Sequence, residues 1–461
     1  MKHIEFKDNT NNFLKNLNKD DDNSGENIFP LHEISSFLQI SSANNLQSAL
    51  IQLKERNIDL SNQELNVNAL YLDVLFKLLL KQFPSPLPEL ILTLLDHFFK
   101  TSSIFQNLIV ENNNFQAVIS LLLSPPKESL FPAFKFLNHL CRKDNILKTL
   151  QPILNPEIFQ SILSVENSEI NGFILEILYH LLKLSFHQEN SENLENPESN
   201  YNNNIISILF LHFHEISNQK IEKNFNICFK FLKLISKDKN FKDEVQTFIP
   251  LVKHVIKHPK SNKTLHYAIN LCRSLFQNHY DITWLNFKAI MVFAQNNNNL
   301  IQISSISLIH ELIEFSEEDS NQNQNNDIYD ALEDSDLYPT LFEIINSSCY
   351  NAKNIVLEIL FILSRNHLNN FFHYIITPLS LEFLFNNIFD NSLSEINLHY
   401  SLSILLMTIE FGIKISNNST ILQNLNEEIV EAIKSHSSNL NPQISVCVRD
   451  LMSLFEKFDI V

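Results

Sequence analysis

Residues 115–141 leave this chain very few ways to fold. Phe115, Val118, Ile119, Leu121, Leu122 and Leu123 recur at helical spacing and predict a helix over 115–123 with one strongly apolar face. Pro125 and Pro126 stop it, because proline has no amide proton to donate and restricts the residue before it. Beyond the break, Ala133, Phe134, Phe136, Leu137, Leu140 and Cys141 take up the 3.6-residue period again. Two such short helices cannot bury their stripes alone. Each needs neighbours of the same kind, which is the condition that produces a stack of repeats. With a polar lead-in and an expected loop at Glu111–Asn114, residues 101–145 read as one repeat unit.

That unit resembles an armadillo repeat. The family pairs a loop-helix element of the form I-V-E-A-G-G-x-x-x-L-V-x-L-L with a later helix of the form A-L-W-A-L-S-N-L-A. Here the first is matched by LIVENNNFQAVISLLL (108–123) and the second by AFKFLNHLC (133–141). Asparagines stand where the family has glycines, and asparagine tolerates left-handed backbone angles better than most residues. The second pattern also lies on Ile91–Phe99, Ile174–Leu182, Cys228–Ser236, Ala268–Phe276, Ser305–Ile313, Val356–Ser364, Ser401–Ile409 and Cys447–Phe455. Successive windows start 37 to 54 residues apart, and the two longest steps hold polar inserts at 187–204 and 316–330. Without those inserts the spacing approaches the roughly 40–47 residues of armadillo or HEAT units. The resemblance covers about 60–461 and implies an all-α fold, a right-handed α-solenoid of armadillo/HEAT-like repeats. The expected layout is a disordered lead-in at 1–27, then a single solenoid over 28–461 with disordered loops at 187–204 and 316–330.

Three glycines in 461 residues rule out GxGxxG, GxxxxGK[ST] and GxSxG, so phosphate loops and nucleophile elbows are absent. The 37 phenylalanines are expected to fill the space between helices. Five scattered cysteines without paired spacing read as reduced core thiols, which places the chain in the cytoplasm or the nucleus. The first residues lack the apolar run of a signal peptide, and no unbroken apolar stretch of about 18 residues predicts a transmembrane helix.

Catalytic and metal signatures are weak. HELIE (310–314) starts like a zinc-protease helix, but Glu314 stands where the second histidine is needed. His254 and His258 share a helical face, yet Lys253 and Lys257 beside them repel a dication and no third ligand follows. No enzyme activity, cofactor or metal is expected. The chain reads as a non-enzymatic scaffold or adaptor that binds another protein.

The resemblance supplies candidate positions. In the armadillo pattern the Asn of the second helix faces the concave groove, and nuclear-import adaptors use it to clamp an extended peptide. The matching residues here are His97, His139, His180, Leu234, Ser274, Glu311, Ile362, Met407 and Ser453. Neither an Asn ladder nor a Trp ladder survives, which argues against a classical nuclear-import receptor. Instead His97, His139 and His180 form a column able to hydrogen-bond a ligand, with Lys135 and Glu176 one turn earlier to select its charge. The bland alternative is half-buried histidines satisfied by neighbouring turns.

Charge marks a second region. Residues 220–263 hold eleven lysines against four acids, within a chain of net charge −18. Lys230, Lys233, Lys237, Lys253 and Lys257 would make a basic ridge, or simply solvated helix faces. The ridge suits a chaperone-type assembly or exchange factor acting on a folded client, or a peripheral trafficking adaptor on an anionic membrane surface. The strongly negative total disfavours nucleic acid.

Overall fold

The computed structural model of the chain describes residues 37–40, 42–55, 65–81, 83–112, 118, 129–163, 168–189, 198–219, 224–318, 324–347, 349–390, 394–416 and 425–458. Among the described residues there is no strand, and the fold is all-α with 23 helices. The chain divides into two compact units between Ile227 and Cys228. The lead-in expected at 1–27 lies outside the described residues.

In the first unit the row of central helices is α1 (Leu87–Thr101), α2 (Leu130–Cys141) and α3 (Ser168–Glu189), each packed on the next. A second row, Leu65–Leu80, Ser103–Asn112 and Asp144–Leu150, packs in the same order beside it. The apolar spacing explains why. In α1 the residues Ile91, Leu92, Leu94, Leu95, Phe98 and Phe99 are buried. Each such side chain contributes about 1.5–3 kcal/mol when removed from water.

In the second unit the central row is α4 (Phe225–Ile235, in this unit from Cys228 onward), α5 (Asn262–Gln277), α6 (Asn299–Glu318), α7 (Tyr350–Asn366), α8 (Glu395–Ser416) and α9 (Pro442–Lys457). From α5 onward each helix packs on the next. Four helices, Phe287–Ala294, Leu337–Ser347, Pro378–Phe389 and Glu427–Ser435, form a second row in that order and lie on α6, α7, α8 and α9 respectively. All nine sequence windows fall in the central helices, save that Ser236 sits just past the end of α4. At the far end Val430, Ile433, Leu451 and Phe455 belong to one buried cluster.

Several local expectations are corrected. Glu111 and Asn112 finish a helix rather than open a loop. Of the helix expected at 115–123, Val118 is helical and buried, and the remainder lies outside the described residues. The described residues of the two polar inserts are helical: α3 runs to Glu189, a helix spans Glu198–Gln219, α6 runs to Glu318, and another covers Gln324–Glu333. Residues 190–197 and 319–323 lie outside the described residues. The insert helix Gln324–Glu333 forms because Tyr329 and Leu332 are buried. Tyr329 also stacks on His367 with ring centroids 3.6 Å apart and shares a 2.6 Å hydrogen bond with the Tyr338 hydroxyl.

Among the described residues one helix, Glu395–Lys414 within α8, is long and apolar enough to cross a membrane by length and composition. Its buried side, with Leu402, Leu405 and Ile409, is packed inside the second unit.

The asparagines act at helix starts. The side chains of Asn286, Asn426 and Asn441 accept the backbone N–H of Ala289, Ile429 and Gln443, and Pro442 at the first turn of α9 needs no such partner. The described positive-φ residues are His279 and Asp336, not asparagines. Asn426→Ala is expected to lower stability of the second unit by about 1 kcal/mol, read as a lower urea midpoint of Trp284 fluorescence.

Candidate functional site

Numbering each nine-residue window from its start, a residue at the sixth position of one central helix repeatedly reaches the third or seventh position of the next. Asp96 of α1 bonds to His139 of α2, and the Lys135 ammonium lies 3.9 Å from the same carboxylate. Asn138 of α2 donates to Glu176 of α3 at 2.7 Å, joined by Arg142 at 2.7 Å. Arg273 of α5 donates through Nε to Glu311 of α6 at 3.0 Å. His310 of α6 lies 3.6 Å from Glu358 of α7. Phe361 of α7 stacks on Tyr400 of α8 at 4.7 Å, and the Tyr400 hydroxyl donates to Glu358 at 3.2 Å. The polar links join residues 34 to 48 positions apart and tie α1 to α2 and α2 to α3 in the first unit, and α5 to α6, α6 to α7 and α7 to α8 in the second.

The expected histidine column is in part engaged within the helix stack. His97, His139 and His180 do sit on three consecutive packed helices, and all are half-buried. His139 is committed to Asp96, the His97 ring lies 5.6 Å from Phe98, and the His180 ring lies 5.5 Å from Tyr179. Of the two residues expected to read charge on a ligand, Lys135 lies beside Asp96 of the preceding helix and Glu176 accepts from Asn138 and Arg142. Asp96 has its carboxyl lowered below the usual range. Burial opposes this, and the hydrogen bonds and charges of His139 and Lys100 together outweigh it.

The basic ridge is split between helices. Lys230, Lys233 and Lys237 belong to α4 or its end, with the Lys230 ammonium 4.9 Å above the Tyr267 ring. Lys253 and Lys257 lie on the separate helix Ile249–Lys257, where Lys253 covers Trp284 at 5.3 Å. The Lys233 ammonium is pushed down by burial first, then by Arg273 and Lys237, while Glu311 holds it up. Lys237, Lys253 and Lys257 are exposed.

His254 and His258 place their rings 5.5 Å apart, and no group of three His, Cys, Asp or Glu able to hold a metal occurs among the described residues. The cysteines are free; Cys141, Cys228, Cys272 and Cys447 are buried and Cys349 is half-buried. Burial pushes the Cys141 and Cys228 thiols far up and that of Cys272 up to about 12, which leaves them protonated and inert.

The sequence matches no family model, and no curated protein matches it. Among solved structures it is similar to the crystal structure of an engineered protein from the Northeast Structural Genomics Consortium. The TM-score is 0.62 at 11% identity, over 93% of this chain and 99% of that one. The likeness is one of fold.

Asp96, Asn138, Arg142, Arg273 and Glu358 were not singled out from the sequence. A signal for them exists: opposite charges or amide–carboxylate pairs at one helical face, one repeat apart. It needs the register of neighbouring helices before it can be seen.

Proposed function

We infer that each unit is a stretch of right-handed, armadillo- or HEAT-like solenoid and that the chain is a non-enzymatic scaffold binding a protein segment along the central-helix face. The observation that carries this reading is the stitching itself. Within each unit, polar links at matching window positions join successive central helices and hold that unit's face in register, and a preorganised face loses little entropy on binding. The third positions, Thr93 in the first unit and Lys230, Asn270 and Ser307 in the second, stay half-buried and accessible beside the links.

A photo-crosslinking amino acid placed at Thr93, Lys230 or Ser307 should capture a protein partner in cells. The same group at Leu211 or Val292, both exposed elsewhere, should not. Equal or stronger capture from Leu211 and Val292 would overturn the reading.

A second reading, contact with an acidic client surface through the α4 lysines, draws support from the charges around Lys233, where Arg273 and Lys237 act together against the single carboxylate of Glu311. It requires capture at Lys230 that collapses when salt rises well above physiological strength.

A further inference from the structure

The central-helix face of the second unit changes sign along its row. At α4 and α5 it is cationic. Lys230 and Lys233 share one side of α4, Lys233 and Lys237 are exposed, and the charges of Arg273 and Lys237 both act on Lys233. The two helices touch there: the Lys230 ammonium lies over the Tyr267 ring, and Ser236 shares a 3.0 Å hydrogen bond with Ser274. The nearby acids are already engaged. Glu311 takes the Arg273 Nε–H, and Asp238 accepts the Asn240 N–H of its own turn.

At α6 and α7 the sign reverses. His310 lies 3.9 Å from Glu314 and 3.6 Å from Glu358, so carboxylates of two neighbouring helices flank one ring. Their side chains remain 57% and 41% exposed. Phe361 and Tyr400, stacked at 4.7 Å, adjoin the same place, because the Tyr400 hydroxyl donates to Glu358. Burial, and then the charges of Glu358 and Glu314, push that hydroxyl above its ordinary range, so both carboxylates act on it. Neither cation of α7 makes an ion pair with them. Arg365 sits over the Phe361 ring at 5.7 Å, about two turns beyond Glu358, and Lys353 lies about 140° around the helix. Two carboxylates beside aromatic rings are the complement of a guanidinium, which pairs through a planar fork and stacks on π faces.

The two ends are one continuous surface. Arg273 bonds across to Glu311, the neighbour of His310, and His310 faces Glu358. Between the ends the third positions Asn270 and Ser307 are uncharged. Packed helices lie about 8–10 Å apart, which puts α4 about 20–25 Å from the cleft between α6 and α7. An extended chain covers that distance in about six to eight residues.

We propose that the central-helix face of the second unit binds an extended segment of another protein that carries charge of both signs, its acidic residue at Lys233 and Lys237 and its arginine at Glu314 and Glu358, about six to eight residues apart. This rests on the use of the central-helix face and adds the chemistry of the segment that occupies it. A segment with acids alone satisfies one end and is repelled at the other.

The probe is a fluorescein-labelled peptide, EEASTSTARR, titrated with the full chain at about 50 mM salt and followed by fluorescence anisotropy. It should bind saturably. The scrambled peptide ASERTRETSA and the truncated-charge peptide EEASTSTAAA should each bind about fivefold more weakly or worse. Glu314→Lys and Lys237→Glu, both at exposed side chains, should each weaken EEASTSTARR by about three- to tenfold with an unchanged circular dichroism melt. Absence of saturation up to about 1 mM overturns the proposal, as does equal binding of the scrambled peptide. Equal binding of EEASTSTAAA overturns it in favour of a purely acidic partner. Capture from Ser307 in cells that neither Glu314→Lys nor Lys237→Glu reduces also overturns it, while the scaffold reading stands. Capture from Ser307 no greater than from Leu211 and Val292 removes the scaffold reading and this proposal together.

Discussion

Phe98→Ala is expected to destabilise the first unit by about 3–5 kcal/mol, the largest effect of any single change considered for this chain. Phe98 is 1% exposed and joins two rows of helices. Its ring meets Tyr71 edge-on at 5.6 Å and Phe105 at 5.7 Å, on the helices before and after α1. Truncation removes the transfer energy of the ring and leaves a cavity between helices already held by their own links, so collapse is limited. The chain offers a way to localise the loss. Trp284 is its only tryptophan and lies in the second unit, while circular dichroism reads both units. In urea the variant should show an earlier helical transition with the Trp284 transition unmoved. A single transition shifted equally for both probes would mean that the two units unfold as one.

Asp96→Ala is expected to cost about 2–3 kcal/mol, because it strips a buried carboxylate that takes charge-assisted hydrogen bonds from His139 and Lys100 and faces Lys135. Asp96→Asn should lose about half as much, since one acceptor oxygen remains. Acid provides the sharper check. The folded-state carboxyl is held below its ordinary value, so its stabilisation is present above about pH 4 and is lost as pH falls through the lowered folded value. The native chain and Asp96→Ala should therefore converge in stability on acidification. A gap that persists undiminished well below about pH 3 would show that the loss came from packing and not from charge.

The fold was legible where apolar residues recur at 3.6-residue spacing, as in Ile91–Phe99 or Val356–Ser364, since a stripe of that width is a helix in any tertiary context. It was misread where helices extend through polar sequence. Neither the continuation of α3 to Glu189 nor the helix Gln324–Glu333 carries a regular stripe, and the latter owes its place to Tyr329 meeting His367 and Tyr338. Propagating an existing helix costs little, so a few anchoring contacts far along the chain suffice. Asn286, Asn426 and Asn441 satisfy otherwise unpaired amides at helix starts, a role that depends on where each helix begins.

The candidate site behaved differently. His139, Lys135 and Glu176 share the central-helix face that the repeat register assigns them, yet their partners, Asp96, Asn138 and Arg142, lie one repeat away on the preceding helix. The amino-acid order alone settled that the chain is helical, that its oily residues must be shared between successive layers, and where those layers fall. Which charges face a neighbour and which face solvent was decided only by packing. Two groups some forty residues apart meet or miss by the rotation and offset of adjacent helices, and side-chain volumes of both layers set those jointly.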